Sequence, residues 1–368
     1  MTKAMSSILS LVVSIGFALS LATSAFAGAG PGVVTLGDFS GDGRADIMVS
    51  GPDGGTGTAL WVFVTNSNGD GPDSASSGAV AFVPTSYSVK GVGDFDGDDN
   101  ADTLVQLSNN GGQNDGLLYV FLTDAASGSG SPLSSSGGGN PGGVPAGFSV
   151  VGIGDANGDN RDDVYVQDGS GLLWVYITAA DGISFDNGAS GTPVTVPAGW
   201  TVVSVGDYNG DDRSDVVVQN DSTGQLWTYI TAADGISFDH GASGSVAGVP
   251  AGWNWSGGGD FTPGTVSSDL AIQNGSGGIV WVYATNADGV SLDAGASAMN
   301  VGATSSGTAL DVQGVADFNA DGIADTLVIN PADGFIYVFL NTGPGASTNV
   351  ASIAQATGGF SVPVDPGF

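Results

Sequence analysis

Cysteine and glutamate are both absent from the 368 residues, and histidine occurs once, as His240. Without cysteine the chain can form no disulfide and offers no thiol for lipid attachment, so an exported form needs another source of stability. Lysine and arginine number only five against 37 acidic residues, all of them aspartate, and the formal net charge is −32. This charge argues against nucleic acid and anionic membrane surfaces as partners, because both are bound through lysine and arginine. Charge-driven disorder is disfavoured because 41% of the residues are hydrophobic and fall into short runs.

The N-terminus has the three parts of a secretory signal peptide. Lys3 precedes the apolar stretch ILSLVVSIGFALSLA, and AFA at Ala25–Ala27 is a cleavage site of the A-x-A type. A membrane anchor fits less well, because the apolar run is short and small residues follow it directly. Residues 1–27 are therefore predicted to be a signal peptide and residues 28–368 a single domain, with no further segment able to insert into a membrane. The expected location is secreted, extracellular or at the cell surface, with the periplasm also open.

An acidic motif recurs along the remaining chain, as in VVGIGDANGDNRDDVYVQ at Val150–Gln167. Its six copies begin at aspartates separated by 56, 61, 52, 53 and 57 residues. We number the copies as loops 1 to 6: Asp38–Asp46, Asp94–Asp102, Asp155–Asp163, Asp207–Asp215, Asp260–Asp269 and Asp317–Asp325.

Each loop is followed by the same succession of short segments. A Val-rich segment comes first, then an aromatic one, then a Val/Pro-containing one such as Thr192–Pro197, with Gly, Asn and Asp turns between them. Four short strands per repeat predict an all-β fold, a β-propeller with four antiparallel strands per blade and six blades, seven being the alternative. A parallel β-helix is the main rival, but its coils are much shorter than these repeats. The tail at Gly358–Val364 echoes the start of a repeat and is expected to supply a closing strand or to be the stub of a further unit.

The third strand of each repeat is apolar on both faces. In LLWVYIT, Leu173 and Val175 alternate with Trp174 and Tyr176, so both faces must be covered, as they are between stacked blades. We therefore predict that the aromatic residue of this strand lies in the core between blades; a platform for stacking a ligand is the alternative. The residues concerned are Trp61, Tyr119, Trp174, Trp227, Trp281 and Tyr337.

Oxygen-bearing side chains occupy positions 1, 3, 5 and 9 of five loops, counted from the first aspartate. With the backbone carbonyl of position 7, whose side chain is expected to point away, they form the donor set that a hard cation such as Ca²⁺ requires. The predicted ligands are Asp38, Ser40, Asp42, Arg44 and Asp46 in loop 1; Asp94, Asp96, Asp98, Asn100 and Asp102 in loop 2; Asp155, Asn157, Asp159, Arg161 and Asp163 in loop 3; Asp207, Asn209, Asp211, Arg213 and Asp215 in loop 4; and Asp317, Asn319, Asp321, Ile323 and Asp325 in loop 6. About five calcium sites are therefore predicted, with an ion-free turn as the alternative. Magnesium fits less well because it requires stricter geometry, and an EF-hand is excluded because its closing glutamate is missing.

Two further positions support a loop that wraps an ion. Position 6 holds Gly, Asp or Asn, the residue types that tolerate positive φ, so a sharp turn is predicted there. Position 2 is mostly aromatic and is expected to anchor the loop in its blade. Loop 5 departs from the pattern at Pro263 and Gly264, and its site is predicted to be empty or weak. We expect calcium to give these blades the stability that disulfides provide in other exported proteins.

The motifs GDFDGDDNAD and GDANGDNRDD resemble those of FG-GAP/VCBS repeat proteins, which include the calcium-bearing propeller of integrin α-subunits. The resemblance covers nearly all of the chain after residue 27. It implies a propeller with calcium loops between the first two strands of its blades. Because the family spans adhesins, lectins, polysaccharide lyases and structural modules, it implies fold and ion more than activity.

Catalytic residues are scarce outside the loops. His240 corresponds to Asn187 in the neighbouring repeat and is predicted to be a turn residue. The repeated non-loop aspartates are predicted to form hairpin turns, with a glycosidase pair or a second cation site as alternatives: Asp181, Asp186, Asp234, Asp239, Asp288 and Asp293. The predicted function is therefore a non-enzymatic binding or adhesion module for an extracellular glycan or protein, including another copy of itself. A structural subunit of an extracellular assembly and a polysaccharide lyase or glycosidase are the alternatives.

Overall fold

The computed structural model describes residues 32–52, 57–73, 75–108, 116–123, 133–275, 278–301, 310–329, 335–343 and 347–355. The predicted signal peptide and the tail at Gly358–Val364 lie outside these ranges. The described residues form strands and turns, and no helix among them is long and apolar enough to cross a membrane.

The strands, in chain order, are β1 (Gly32–Gly37), β2 (Asp46–Pro52), β3 (Gly57–Phe63), β4 (Gly78–Pro84), β5 (Tyr87–Gly93), β6 (Asp102–Leu107), β7 (Leu117–Thr123), β8 (Leu133–Gly143), β9 (Phe148–Gly154), β10 (Asp163–Asp168), β11 (Leu173–Tyr176), β12 (Trp200–Gly206), β13 (Asp215–Asn220), β14 (Gln225–Tyr229), β15 (Gly244–Gly248), β16 (Trp253–Gly259), β17 (Asp269–Asn274), β18 (Val280–Tyr283), β19 (Ala298–Val301), β20 (Asp311–Ala316), β21 (Asp325–Ile329), β22 (Phe335–Asn341) and β23 (Ser347–Gln355).

These strands form antiparallel sheets of consecutive strands, one sheet for each acidic repeat. Five of the described sheets have four strands: β1–β4, β5–β8, β12–β15, β16–β19 and β20–β23. The third has only β9–β11, because the predicted fourth strand at Thr192–Pro197 is reduced to the isolated bridge from Leu172 to Thr195. Pro193 explains the difference, since proline cannot donate to a strand ladder.

The first strands of the described sheets contact one another in a closed cycle. They follow the order β1, β5, β9, β12, β16 and β20, and β20 contacts β1 again. In each loop, the residue before the last aspartate donates its N–H to the carbonyl of the first aspartate in the preceding loop, at 2.5 to 2.7 Å. The bond from Ala45 to Asp317, at 2.7 Å, joins the first repeat to the last. The sheets are therefore the blades of a β-propeller, as predicted, and we number them as blades 1 to 6 after their loops.

The hydrophobic core is divided among the junctions between blades. At the junction of blades 3 and 4, Leu173 and Val175 pack with Val216 and Val218, while Trp174 faces the other way, into the junction of blades 2 and 3. The same division recurs at every junction, including that of blades 6 and 1. The aromatic residues of the third strands all lie in these clusters, so their assignment to the inter-blade core is confirmed.

Glycines allow the first strands to approach closely. A Cβ at Gly152 would lie 2.2 Å from a methyl carbon of Val205 in the next blade, and a Cβ at Gly91 would lie 2.7 Å from Ile153. Real Cβ atoms do not come this near, so an apolar side chain of one blade fills the space left by a glycine of its neighbour. The loops at the ends of these strands are thereby brought side by side.

Candidate metal centre

The acidic loops lie together on one face of the propeller, around its axis. Each connects the first strand of a blade to the second, and a backbone hydrogen bond joins each loop to the loop of the preceding blade. The predicted ligand sets therefore form separate sites in neighbouring loops rather than one shared site.

The first aspartate of each intact loop is wrapped by the backbone of its own loop. Oδ1 of Asp155 accepts N–H bonds from Asn157, Gly158 and Asp159 at 2.7 to 3.2 Å, and Oδ2 accepts one from Asn160 at 2.7 Å. Loops 1, 2, 4 and 6 repeat this arrangement in large part. These donors stabilise the carboxylate and set the loop's curvature before any ion is considered.

The ninth aspartate is fully buried and ties the loop to the rest of its blade. Oδ2 of Asp102 accepts the N–H of Phe95 at 2.9 Å, and Oδ1 accepts the N–H of Thr123 at 2.7 Å. The Thr123 hydroxyl then donates to the Ala101 carbonyl at 2.7 Å. The same pair of N–H bonds is made by Asp46, Asp163, Asp215 and Asp325.

Burial raises the pKa of these ninth aspartates far above the usual range of aspartate. The pKa is raised to about 8 for Asp102 and Asp163, and to about 7 for Asp46, Asp215 and Asp325. The N–H bonds oppose the rise, and the charges of other aspartates in the loop add to it. A nearby cation would reverse this effect, because it favours the ionised form.

The residues at position 7 are placed differently from the prediction in three loops. The backbone N–H of each position 7 arginine donates to the carboxylate of the position 5 aspartate, as expected for a tight turn. The arginine side chains, however, do not point away from the site. The guanidinium groups of Arg44, Arg161 and Arg213 turn back and pair with the position 5 carboxylate of the same loop, because that carboxylate is the nearest opposite charge.

Loop 2 has no such arginine and has the densest group of acids. One carboxylate oxygen from each of Asp94, Asp96 and Asp102 lies within 4.8 Å of the other two, the only such trio among the described residues. Oδ1 of Asp96 is buried there without a hydrogen-bond partner, while the equally unpartnered Oδ1 of Asn100 lies against Gly41 of loop 1. Burial and the charge of Asp98 raise the pKa of Asp96 to about 6. A buried, unpartnered carboxylate oxygen in an all-oxygen donor set fits a hard cation such as Ca²⁺.

Loop 5 keeps the ends of the motif but not its centre. The Thr265 hydroxyl donates to Asp260 Oδ1 at 2.7 Å, and the Thr262 hydroxyl donates to Asp269 Oδ2 at 2.9 Å. Pro263 and Gly264 replace the central acid. Its predicted weakness as a cation site stays a prediction, and hydroxyl groups now hold the two aspartates.

Each intact loop contains two left-handed residues. The predicted one at position 6 is confirmed, for example by φ of +68° at Asp99. A second, at position 4, was not predicted, although glycine recurs there. The φ values at position 4 are +66° at Gly41, +78° at Gly97, +76° at Gly158, +74° at Gly210 and +58° at Ala320. Two reversals within three residues let successive N–H groups point inward.

The position 2 side chains anchor the loops, as predicted. Phe39, Phe95, Tyr208 and Phe318 are buried in the blade junctions. Ala156 is the small exception in loop 3. It lies in the same cluster as the fully buried Tyr165, a large residue where the other blades have smaller ones.

The repeated aspartates outside the loops form turns, as predicted. Asp181 accepts N–H bonds from Ile183 and Ser184, and Asp186 accepts them from Gly188 and Ala189. Asp234, Asp239, Asp288 and Asp293 do the same in blades 4 and 5. The predicted turn position of His240 is also confirmed, and its side chain is exposed.

The hairpin turns also cover the acidic loops, a contact that sequence reasoning missed. Gly182 of blade 3 has φ of +68°, and a Cβ there would lie 2.5 Å from Cβ of Asp96 in loop 2. A Cβ at Gly235 of blade 4 would lie 2.7 Å from Cβ of Asn157 in loop 3. Position 3 of a loop is therefore shielded from water by the next blade.

Comparisons with known proteins support the fold. No protein-family model and no curated protein matches the chain. Among solved structures, a lectin of Agrocybe aegerita that recognises non-reducing terminal N-acetylglucosamine aligns over 89% of this chain and 81% of its own, with 16% identity and a TM-score of 0.52. A rhamnogalacturonan lyase of Bacillus licheniformis aligns over 86% of this chain and 72% of its own, with 12% identity and a TM-score of 0.38. At such identity, the likeness to the lectin concerns the fold alone.

Proposed function

We propose that this protein is a calcium-binding propeller of the FG-GAP/VCBS type that acts outside the cell as a non-enzymatic binding module. The observation that carries the proposal is loop 2, where three carboxylates converge and one of their oxygens, Oδ1 of Asp96, is buried without a hydrogen-bond partner. Four further loops repeat its wrapped first aspartate and buried ninth aspartate around side-chain oxygens at both central positions. When bound, calcium would be held by these oxygens and would neutralise the crowded carboxylates.

Binding is favoured over catalysis by the state of the remaining ionisable groups. Hydrogen bonds from Ser184 and Ser237 lower the pKa of Asp181 and Asp234, so both stay ionised and are poor general acids. The arginines of loops 1, 3 and 4 are paired with aspartates, which leaves them less suited to hold an acidic sugar. A neutral glycan or a protein surface is the expected ligand class, and the propeller-fold lectin binds a neutral sugar.

Calcium binding is tested by unfolding the protein in a chelator and in about 10 mM calcium. Extracellular modules bind calcium with Kd of about 0.1 to 1 mM, so each filled site should add roughly 1.4 to 2.7 kcal/mol to the free energy of unfolding. The Asp96→Asn/Asp98→Asn variant should lose part of this gain. Thr262→Ala in loop 5 is the matched control and should keep it. Equal stability of the natural protein in chelator and calcium, with no metal in native mass spectra, would refute the proposal.

The binding role is tested with the calcium-loaded protein on a glycan array and by light scattering. A calcium-dependent monomer that retains defined glycans supports the binding module. Large calcium-dependent polymers without glycan retention would instead favour a structural subunit. Turnover of a polysaccharide panel, lost on changing one non-loop aspartate, would replace the proposal with an enzyme.

A further inference from the structure

The intact loops fall into two groups by the charge they contain. Loops 1, 3 and 4 each have an arginine at position 7, and its guanidinium contacts the position 5 carboxylate. Loops 2 and 6 have Asn100 and Ile323 at this position and no basic residue. Loop 2 also has five aspartates, more than any other loop.

Two of the three arginines lie against a glycine of the preceding blade. Cγ of Arg161 lies 3.3 Å from where a Cβ on Gly97 of loop 2 would be, and Cγ of Arg213 lies 3.4 Å from the equivalent point on Gly158 of loop 3. Their side chains are between 19 and 24% exposed. The charge of each arginine therefore lies beside the carboxylate in a largely buried position and not in open solvent.

The ion pairs between these arginines and the position 5 aspartates do not have the geometry that would stabilise the fold most. Nε of Arg44, Arg161 and Arg213 is buried without a hydrogen-bond partner, so each guanidinium leaves one of its donors unsatisfied. A surface ion pair kept only for stability would be expected to use its donors better. The fixed positive charge does, however, occupy a carboxylate oxygen that a metal ion would use, and it repels that ion.

Building on the proposed calcium binding, we propose that Arg44, Arg161 and Arg213 act as built-in counter-ions that divide the loops into two classes of divalent-cation site. Loops 2 and 6, which have no internal cation, fill first. Loops 1, 3 and 4 fill at higher concentration, because calcium must share or displace the guanidinium. At low calcium, loops 1, 3 and 4 keep their shape because arginine offsets the charge of the carboxylates. The loss of metal therefore destabilises mainly loops 2 and 6.

The test is a calorimetric calcium titration of the full chain at fixed ionic strength, with native mass spectrometry to count bound ions. The natural protein should bind in two phases whose affinities differ by about tenfold or more, because ligand charge sets calcium affinity. The Arg44→Gln/Arg161→Gln/Arg213→Gln variant should bring the second phase about tenfold closer to the first. The corresponding triple lysine variant keeps the charges and should keep two phases. Lys90→Gln removes a basic residue of β5 outside the loops and should change nothing.

A reciprocal change tests the other class. Ile323→Arg in loop 6 should move one ion from the first phase to the second, and Asn100→Arg does the same for loop 2 if the loop 6 variant fails to fold. An unchanged titration of the triple glutamine variant would overturn the inference, as would five equal sites in the natural protein. Five equal sites would leave calcium binding itself intact, whereas the absence of any bound calcium would remove the proposed function as well.

Discussion

Loops 2 and 5 share a frame and differ in their centres. In both, the carbonyl of the first aspartate accepts an N–H from the next blade, at 2.6 Å for Asp94 and 2.5 Å for Asp260. In both, the last aspartate accepts N–H bonds from the residue after the first aspartate and from a threonine near the end of the third strand. Only the middle differs, where Asp96 and Asp98 in loop 2 correspond to Thr262 and Gly264 in loop 5.

This difference separates two roles that the repeated motif combines. The first and last aspartates belong to the fold, because they join neighbouring blades and fasten the loop to its own sheet. The central residues belong to the cation chemistry, because loop 5 loses them without losing the frame. Blade 5 keeps its bonds to both neighbouring blades, and the Thr262 and Thr265 hydroxyls donate to the two aspartates that face the missing centre.

The largest effect is expected from removing the last aspartate of either loop. Asp102→Ala and Asp269→Ala each leave two buried backbone N–H groups without an acceptor. Each such group costs about 1 to 3 kcal/mol, so the free energy of unfolding in chelator should fall by roughly 2 to 6 kcal/mol in both variants. Asp98→Ala, at the exposed centre of loop 2, is the control and should cost much less. Urea denaturation measures all three. A tolerated Asp269→Ala beside a damaging Asp102→Ala would show that the frame is not shared.

An intermediate effect is expected from pH, and it should be larger in loop 2. Burial raises the pKa of Asp102 to about 8 and that of Asp269 to about 6. Asp96 and Asp94 add repulsion in loop 2, while only Asp260 does so in loop 5.

The direction of the pH effect on stability follows from the unfolded chain, where the pKa of aspartate is about 3.9. The native state binds these protons more tightly, so the free energy of unfolding in chelator falls as pH rises from about 4 towards 8. The melting temperature should therefore be higher at pH 5 than at pH 8. Asp96→Asn should narrow this difference because it removes repulsion from Asp102, whereas Thr262→Ala should widen it because the Thr262 hydroxyl lowers the pKa of Asp269. Added calcium should raise the melting temperature most at pH 8, where the carboxylates are ionised. Calorimetry that finds the chelated protein more stable at pH 8 would contradict this.

The sequence predicted the propeller because its signals are local and repeated. Strand alternation, the spacing of the loops and the residue types at position 6 each report a backbone property within a few residues. The same holds for the turn aspartates, since Asp181 bonds to N–H groups two and three residues away.

What the sequence did not predict depends on contacts between distant segments. Gly182 covers Asp96 of loop 2, which is 86 positions away in the sequence. The hydrogen bond from Thr123 to Asp102 joins residues 21 positions apart. The return of Arg161 onto Asp159 is local, but its direction is set by Gly97 of the preceding blade. A threonine or asparagine near the end of every third strand was the signal for the tie, and it was missed because Thr also suits a strand end on propensity alone.

The smallest effect is expected at position 4, where the backbone rather than the acids distinguishes the loops. Ala320 has φ of +58° in loop 6, where the other intact loops have glycine. The left-handed conformation costs alanine about 1 to 2 kcal/mol, and glycine loses about 0.4 to 1 kcal/mol through its more flexible unfolded chain. Ala320→Gly should therefore stabilise the protein by roughly 0.5 kcal/mol.

Gly97 in loop 2 and Gly264 in loop 5 are both left-handed, with φ of +78° and +80°. Gly97→Ala should destabilise the protein by more than Gly264→Ala does. A Cβ at Gly97 would lie 3.3 Å from Arg161 and Asn160, whereas Gly264 faces open space. Chemical denaturation in chelator resolves the series, and equal costs at Gly97 and Gly264 would mean that φ alone sets the penalty and that the neighbouring blade does not press on the intact loop.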